Sequence, residues 1–147
     1  MRTRLRLCIL SACLAMSACA TTPGTAELAG STWRLASFQS SDDGIAALRS
    51  SDPQRYTLSF GNDGRLAAKL DCNRGTGPWQ AEAGDAKGGS LRLGPLGTTR
   101  AMCPPDPLGA NLVRDLEAVR SYRVERARLY LSLPADAGVY VWERVTP

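Results

Sequence analysis

Short runs of alternating apolar and polar residues, separated by turns, restrict the fold of this 147-residue chain more than any other feature. Residues 56–60 and 66–70 alternate on either side of Gly61-Asn62-Asp63-Gly64, which supplies the positive-φ positions of a hairpin turn. The connections between runs are too short for repeated parallel crossovers, so the sheet is expected to be mainly antiparallel. Further strands are predicted near residues 31–38, 79–81, 91–93, 122–124, 129–133 and 139–142.

One helix is predicted late in the chain. Asp106 suits the N-cap, Pro107 suits the first helical position, and an apolar stripe follows at Leu108, Leu112, Leu116 and Val119. The natural place to bury this stripe is the open mouth of a curled sheet. We therefore predict an α+β fold, a mainly antiparallel, half-open β-barrel-like sheet of about seven or eight strands with one helix inserted before the last three strands.

The N-terminus resembles the export signal of a bacterial lipoprotein. Residues 1–18 combine a cationic start with an apolar stretch too short to span a membrane, and small residues stand directly before Cys19. In that class the cysteine is lipidated and becomes the first mature residue. Cleavage before Cys13 leaves too short a hydrophobic region, and an ordinary secretory cut near Ala20 is the other alternative. Residues 19–29 are then a lipidated, flexible tether, and the domain occupies 30–147.

The charge of the whole chain is misleading for the mature domain. The 18 basic and 14 acidic residues give a formal charge of +4, but three of the arginines belong to the predicted signal. Without them 15 basic residues face 14 acidic ones, so the sequence gives no support for a nucleic-acid partner. About 129 residues remain, enough for one domain.

Histidine is absent from the sequence, which excludes Ser-His-Asp and Cys-His catalysis and any zinc or copper site built on imidazole. Paired carboxylates are the remaining route to catalysis. No aspartate shows the spacing of a calcium loop, and those in predicted loops are best explained as solvated turn residues: Asp42, Asp43, Asp52, Asp63 and Asp85. We expect no enzyme activity, no metal and no cofactor.

Two cysteines remain once Cys8 and Cys13 leave with the signal and Cys19 is modified. Because an exported protein is in an oxidising compartment, Cys72 and Cys103 are predicted to form a disulfide. The alternative is a reactive thiol, which requires a neighbouring base or cation.

Four segments together resemble the META domain found in HslJ-type heat-shock proteins. They are the opening Gly30–Leu35, the hairpin Phe60–Arg65, the run Asp71–Gly77 and the step Thr98–Cys103. The resemblance covers roughly residues 30–145, with Asp71 in place of the usual glycine and a glycine-free turn at Arg126–Ala127 as departures. It implies an envelope or secreted domain of α/β barrel-like fold, linked to stress tolerance and without established catalytic residues.

A disulfide between the two remaining cysteines brings Asn73, Arg74 and Arg100 together. The three side chains are a candidate polar, cationic binding patch for an anionic group or a partner's carboxylate. In the alternative interpretation, Asn73 satisfies turn backbone groups and Arg100 pairs with a carboxylate such as Asp71. Gly75-Thr76-Gly77 lacks the spacing of a phosphate loop.

The function expected from these features is that of a non-catalytic envelope lipoprotein with a binding or stress-tolerance role. Ala20 is not the aspartate that retains lipoproteins in the inner membrane, so the outer membrane, facing the periplasm, is the expected location. The expected partners are the membrane, reached through the lipid, and an envelope protein or acyl ligand. Alternatives are a pilotin-like chaperone that cradles an acyl chain or peptide, and a hydrolase inhibitor that inserts loop 39–55 or 94–105.

Overall fold

The computed structural model describes residues 25, 27–41, 47–49, 52–85 and 87–146. Three predicted features lie wholly or mostly outside these residues: the signal 1–18, the proposed lipidation at Cys19 and the tether 19–29. The strands are β1 Ser31–Gln39, β2 Leu48–Arg49, β3 Tyr56–Phe60, β4 Arg65–Leu70, β5 Asn73–Ala83, β6 Gly88–Leu93, β7 Gly97–Thr98, β8 Ser121–Glu125, β9 Arg128–Ser132 and β10 Val139–Arg144. The helix α1 is Gly109–Ala118, between β7 and β8.

Eight of these strands form a closed antiparallel barrel. The strand order runs β1-β3-β4-β5-β6-β8-β9-β10, and β10 returns to pair with β1. The two-residue strands β2 and β7 are attached to β1 and β5. The predicted antiparallel barrel with one helix before the last three strands is confirmed. The barrel is closed rather than half-open, because β1 pairs with β10 along most of its length.

Alternation along the strands fills the barrel with side chains. In β4, for example, Leu66, Ala68 and Leu70 point inward and alternate with exposed residues. The helical stripe joins the same buried cluster, in which Leu112 and Leu116 are 1% and 0% exposed. The helix thus buries its apolar face on the barrel core. Within the described residues, no helix has the length and hydropathy needed to span a bilayer.

The helix begins two residues later than predicted, at Gly109 and not at Pro107. Asp106 does not cap α1 itself; its Oδ1 accepts a hydrogen bond from the Leu108 amide at 2.8 Å, and its backbone oxygen accepts one from Gly109 at 3.1 Å. The Asp-Pro step therefore forms a turn that leads into the helix, and the helical hydrogen bonds start after it.

The strand predicted near Trp79 is longer than the sequence indicates. A proline usually indicates the edge of a sheet, and the sequence therefore predicts an edge position for Pro78. This prediction is wrong, because β5 runs for 11 residues through Gly75, Gly77 and Pro78 and is paired on both sides. Pro78 is the point at which β5 changes partner from β4 to β6, where a missing N–H is tolerated. A Cβ on Gly77 would lie 2.7 Å from the Pro95 carbonyl oxygen, so this glycine permits residues 95–98 to cross β5 closely.

Candidate binding face

A disulfide joins the turn between β4 and β5 to the segment before α1. Cys72 and Cys103 form the predicted bond, with Cα atoms 5.7 Å apart. Cys103 lies in residues 99–105, which we call the disulfide loop. Since Cys72 directly precedes β5, the bond fastens this loop to the barrel wall.

The Asn73 side chain holds the disulfide loop in a second way. Its Oδ1 accepts hydrogen bonds from the Ala101 amide at 2.6 Å and from the Thr99 hydroxyl at 3.0 Å. Its Nδ2 donates to the Ala101 carbonyl at 3.1 Å and contacts the Cys103 Sγ at 3.1 Å. The alternative interpretation expected Asn73 to bond backbone groups of its own turn. Asn73 does bond backbone groups, but they belong to a loop 28 residues away.

The loop continues the antiparallel pairing of β7 with β5. The Thr99 amide donates to the Arg74 carbonyl at 2.9 Å, and the Arg74 amide donates to the Thr99 hydroxyl at 3.0 Å. Asn73 and Arg74 of the predicted patch are thus both in contact with the segment that carries Arg100. The loop also places Met102 in full solvent exposure, at 100%.

The expected pairing of Arg100 with Asp71 is wrong, because the Asp71 carboxylate forms its ion pair with Arg55. Arg55 Nε and Nη2 donate to Asp71 at 2.7 and 2.6 Å, and Nη1 donates to Asp106 at 3.1 Å. Asp71 adopts a φ of 63°, which aspartate tolerates better than most residues and which accounts for the glycine usual at this position. Arg74 and Arg100 have exposed side chains and form no ion pair with any described residue.

The Arg55 pairs set the electrostatics beneath the loop. Hydrogen bonds from Arg55 hold the pKa of the Asp71 carboxyl below its ordinary value. Burial raises the pKa of Tyr56 to about 12, and the nearby carboxylates of Asp106 and Asp71 add to this. These shifts keep Asp71 ionised and Tyr56 neutral near neutral pH, so the network fixes structure at the base of the loop.

An apolar groove of about 560 Å³ lies between the disulfide loop and the start of α1. The loop, with Pro104 and Pro105, forms one wall, and Val113 lies on the helix wall. The buried side chains of Tyr56, Leu70 and Leu112 also line it. Asp71 and Asp106 also line the groove, and both of their carboxylates form ion pairs with Arg55. The groove therefore offers mainly apolar surface next to an exposed, cationic loop.

The aspartates considered for catalysis have turn roles where they are described. Asp52, Asp63 and Asp85 each accept a hydrogen bond from the backbone amide two residues ahead, at 2.9, 3.0 and 2.8 Å. Asp42 and Asp43 lie outside the described residues. Across the described part of the chain, no three His, Cys, Asp or Glu side chains are grouped as metal ligands.

Sequence reasoning missed Arg55 and Met102. Arg55 reaches carboxylates 16 and 51 residues away, and no local pattern encodes such a pair. Met102 belongs to a residue type that is usually buried, and its neighbours Cys103, Pro104 and Pro105 indicate only that it lies in a constrained loop. The pairing of the cysteines was the usable signal, because it placed this loop beside Asn73.

Comparisons with known proteins agree with this architecture. The family model described as META domain matches residues 26–145. No curated protein matches the chain.

Two solved structures share the fold. An NMR structure of a protein from Burkholderia xenovorans is 24% identical, covers 94% of this chain and 100% of its own, and superposes with a TM-score of 0.65. A crystal structure of a duf4847 family protein from Bacteroides vulgatus is 14% identical, with 82% and 96% coverage and a TM-score of 0.58. At these identities the likeness concerns the fold alone.

Proposed function

The chain belongs to the META domain family, and we propose that it is a non-catalytic cell-envelope lipoprotein whose domain acts by binding a segment of another envelope protein. The lipid is carried by Cys19, and the binding face consists of the groove and the disulfide loop. The outer membrane, facing the periplasm, is the proposed location, and tolerance of envelope stress is the proposed role.

The observation that carries this proposal is the groove. Its volume of about 560 Å³ falls in the range of ligand sites, and buried apolar side chains line it. Its loop wall is fixed by the disulfide and by Asn73. A surface ordered in advance loses less conformational entropy when it binds, which favours recognition.

The position of the groove favours a protein segment over an acyl chain. The chain enters the barrel beside Phe60, where the Gly30 amide donates to the Phe60 carbonyl at 2.7 Å. Tyr56, which lines the groove, is at the other end of β3, about 13 Å away at the rise of an extended strand. Among the described residues, the side chains inside the barrel pack together in a buried hydrophobic cluster. The groove thus lies at the end of β3 opposite to the one where the chain from the proposed lipid anchor enters. A partner in the periplasm can reach a groove in this position.

The anchor is tested by Cys19→Ser. We expect this variant to lose acyl labelling and to leave the membrane fraction, because the thiol is the site of acylation. Cys13→Ser is the matched control and should retain both. Acyl label that persists in the Cys19→Ser protein would contradict the assignment.

Binding is tested by photo-cross-linking in intact cells, with p-benzoylphenylalanine at Val113 of the full-length protein. Val113 lines the groove, and the exposed Asn111 on the same helix does not, so it is the control position. We expect a discrete adduct with one protein segment at Val113 and none at Asn111. An adduct with phospholipid would favour the acyl alternative, and equal labelling at both positions would overturn the groove as the binding site.

A further inference from the structure

The disulfide loop has one bonded edge and one open edge. The backbone groups of Thr99 and Ala101 turn toward β5, where Arg74 and the Asn73 side chain bond them. Backbone groups of successive residues in an extended segment point to alternate edges. Those of Arg100 and Met102 accordingly form no hydrogen bond with any other described residue. The segment resembles a short edge strand whose outer side is unpaired.

Two exposed side chains, those of Arg100 and Met102, belong to the residues of this open edge. Arg100 and Met102 are two residues apart, so an extended backbone projects both to one face. Met102 is fully exposed, and a flexible thioether adapts to varied apolar partners. Arg100 and the neighbouring Arg74 have no carboxylate partner within the described part of the chain. The edge therefore combines unpaired backbone groups, one apolar side chain and a local excess of positive charge.

We propose that the outer edge of residues 100–102 pairs with an extended peptide segment that carries acidic side chains near Arg100 and an apolar side chain against Met102. Strand addition of this kind takes affinity from main-chain hydrogen bonds and specificity from alternate side chains. The inference rests on the proposed binding function and names the partner's chemistry. The disulfide and Asn73 hold the edge in place before the partner arrives, which lowers the entropy lost on pairing.

The test is titration of the full-length protein with three labelled octapeptides, followed by fluorescence anisotropy. In the first, the glutamate–leucine peptide, glutamate and leucine alternate at every second position with serine between them, so that both project to the same face of an extended strand. The second, the lysine–leucine peptide, has lysine in place of glutamate, and the third has serine in place of leucine. We expect the glutamate–leucine peptide to bind at least about ten-fold more tightly than the other two, because it alone satisfies both Arg100 and Met102. Equal affinity for the three peptides, or no binding of any, would overturn the proposal.

Two pairs of variants separate the backbone edge from the side chains. Met102→Pro removes the free amide, whereas Met102→Ala keeps it and removes only the thioether. Arg100→Glu reverses the charge on the edge, and Arg92→Glu makes the same change at an exposed arginine on β6. Circular dichroism and thiol titration verify that each variant folds with its disulfide intact.

We expect Met102→Pro to bind the glutamate–leucine peptide about ten-fold more weakly than Met102→Ala, as the loss of a main-chain hydrogen bond predicts. Arg100→Glu should weaken it by a similar factor and improve binding of the lysine–leucine peptide, with no effect from Arg92→Glu. Equal binding by Met102→Pro and Met102→Ala would exclude main-chain pairing. A protein adduct at Val113 combined with that result would refute this inference alone and leave the proposed function standing.

Discussion

Replacement of Cys72 and Cys103 together by alanine should lower the free energy of unfolding by about 3–4 kcal/mol. The bond closes a loop with a sequence separation of 31 residues, and the chain-entropy estimate for a loop of that length gives this value. It is a large share of the net stability of a small domain, about 5–15 kcal/mol. The substitution also removes the Cys103 sulfur that contacts Asn73, so the loop should loosen even below the unfolding transition.

Urea denaturation of the oxidised protein and the double variant measures this difference. Wild-type protein reduced with dithiothreitol is the control and should unfold at nearly the same urea concentration as the variant. A double variant within about 0.5 kcal/mol of the oxidised protein would show that the bond constrains the chain little.

Leu112→Ala should lower the free energy of unfolding by about 2–5 kcal/mol. Leu112 is 1% exposed and lies in the apolar stripe by which α1 packs on the barrel core. Truncation loses the transfer free energy of the removed methyl and methylene groups and leaves a cavity in a packed cluster. Since Leu112 also lines the groove, the variant enlarges the space offered to a ligand.

Leu48→Ala is the matched control, because Leu48 is 37% exposed on the two-residue strand β2. Its expected cost is below about 1 kcal/mol. Thermal melting and urea denaturation of the two variants provide the comparison. Equal losses for Leu112→Ala and Leu48→Ala would mean that the helix does not contribute its stripe to the core.

The sequence predicts the parts of this fold that depend on local patterns. The hairpin of β3 and β4 follows from alternation around Gly61–Gly64, and the buried stripe of α1 follows from its helical spacing. Cys72 and Cys103 are predictable as a pair because they are the two cysteines left once the predicted signal and the predicted lipidation site are set aside. The inferences on the hairpin and the helix use only residues close in sequence, and the inference on the disulfide uses a count of cysteines.

The parts that depend on long-range geometry are not predictable in this way. Closure of the barrel requires β1 to meet β10, and nothing within β1 specifies a second partner. Pro78 indicates an edge by the usual rule, yet it lies where β5 exchanges one neighbour for another. Arg100 and Arg55 have the same charge, and only the folded position of Asp71 decides which of them pairs with it.

The most direct test of the preformed binding face is amide hydrogen exchange of the full-length protein at Thr99, Arg100, Ala101 and Met102, resolved by NMR. The Thr99 and Ala101 amides donate hydrogen bonds to Arg74 and Asn73, at 2.9 and 2.6 Å. We predict that these two exchange at least about ten-fold more slowly than the amides of Arg100 and Met102, because exchange requires their bonds to open. If Ala101 exchanges as fast as Met102, the loop is not held by Asn73 and the face is not formed in advance.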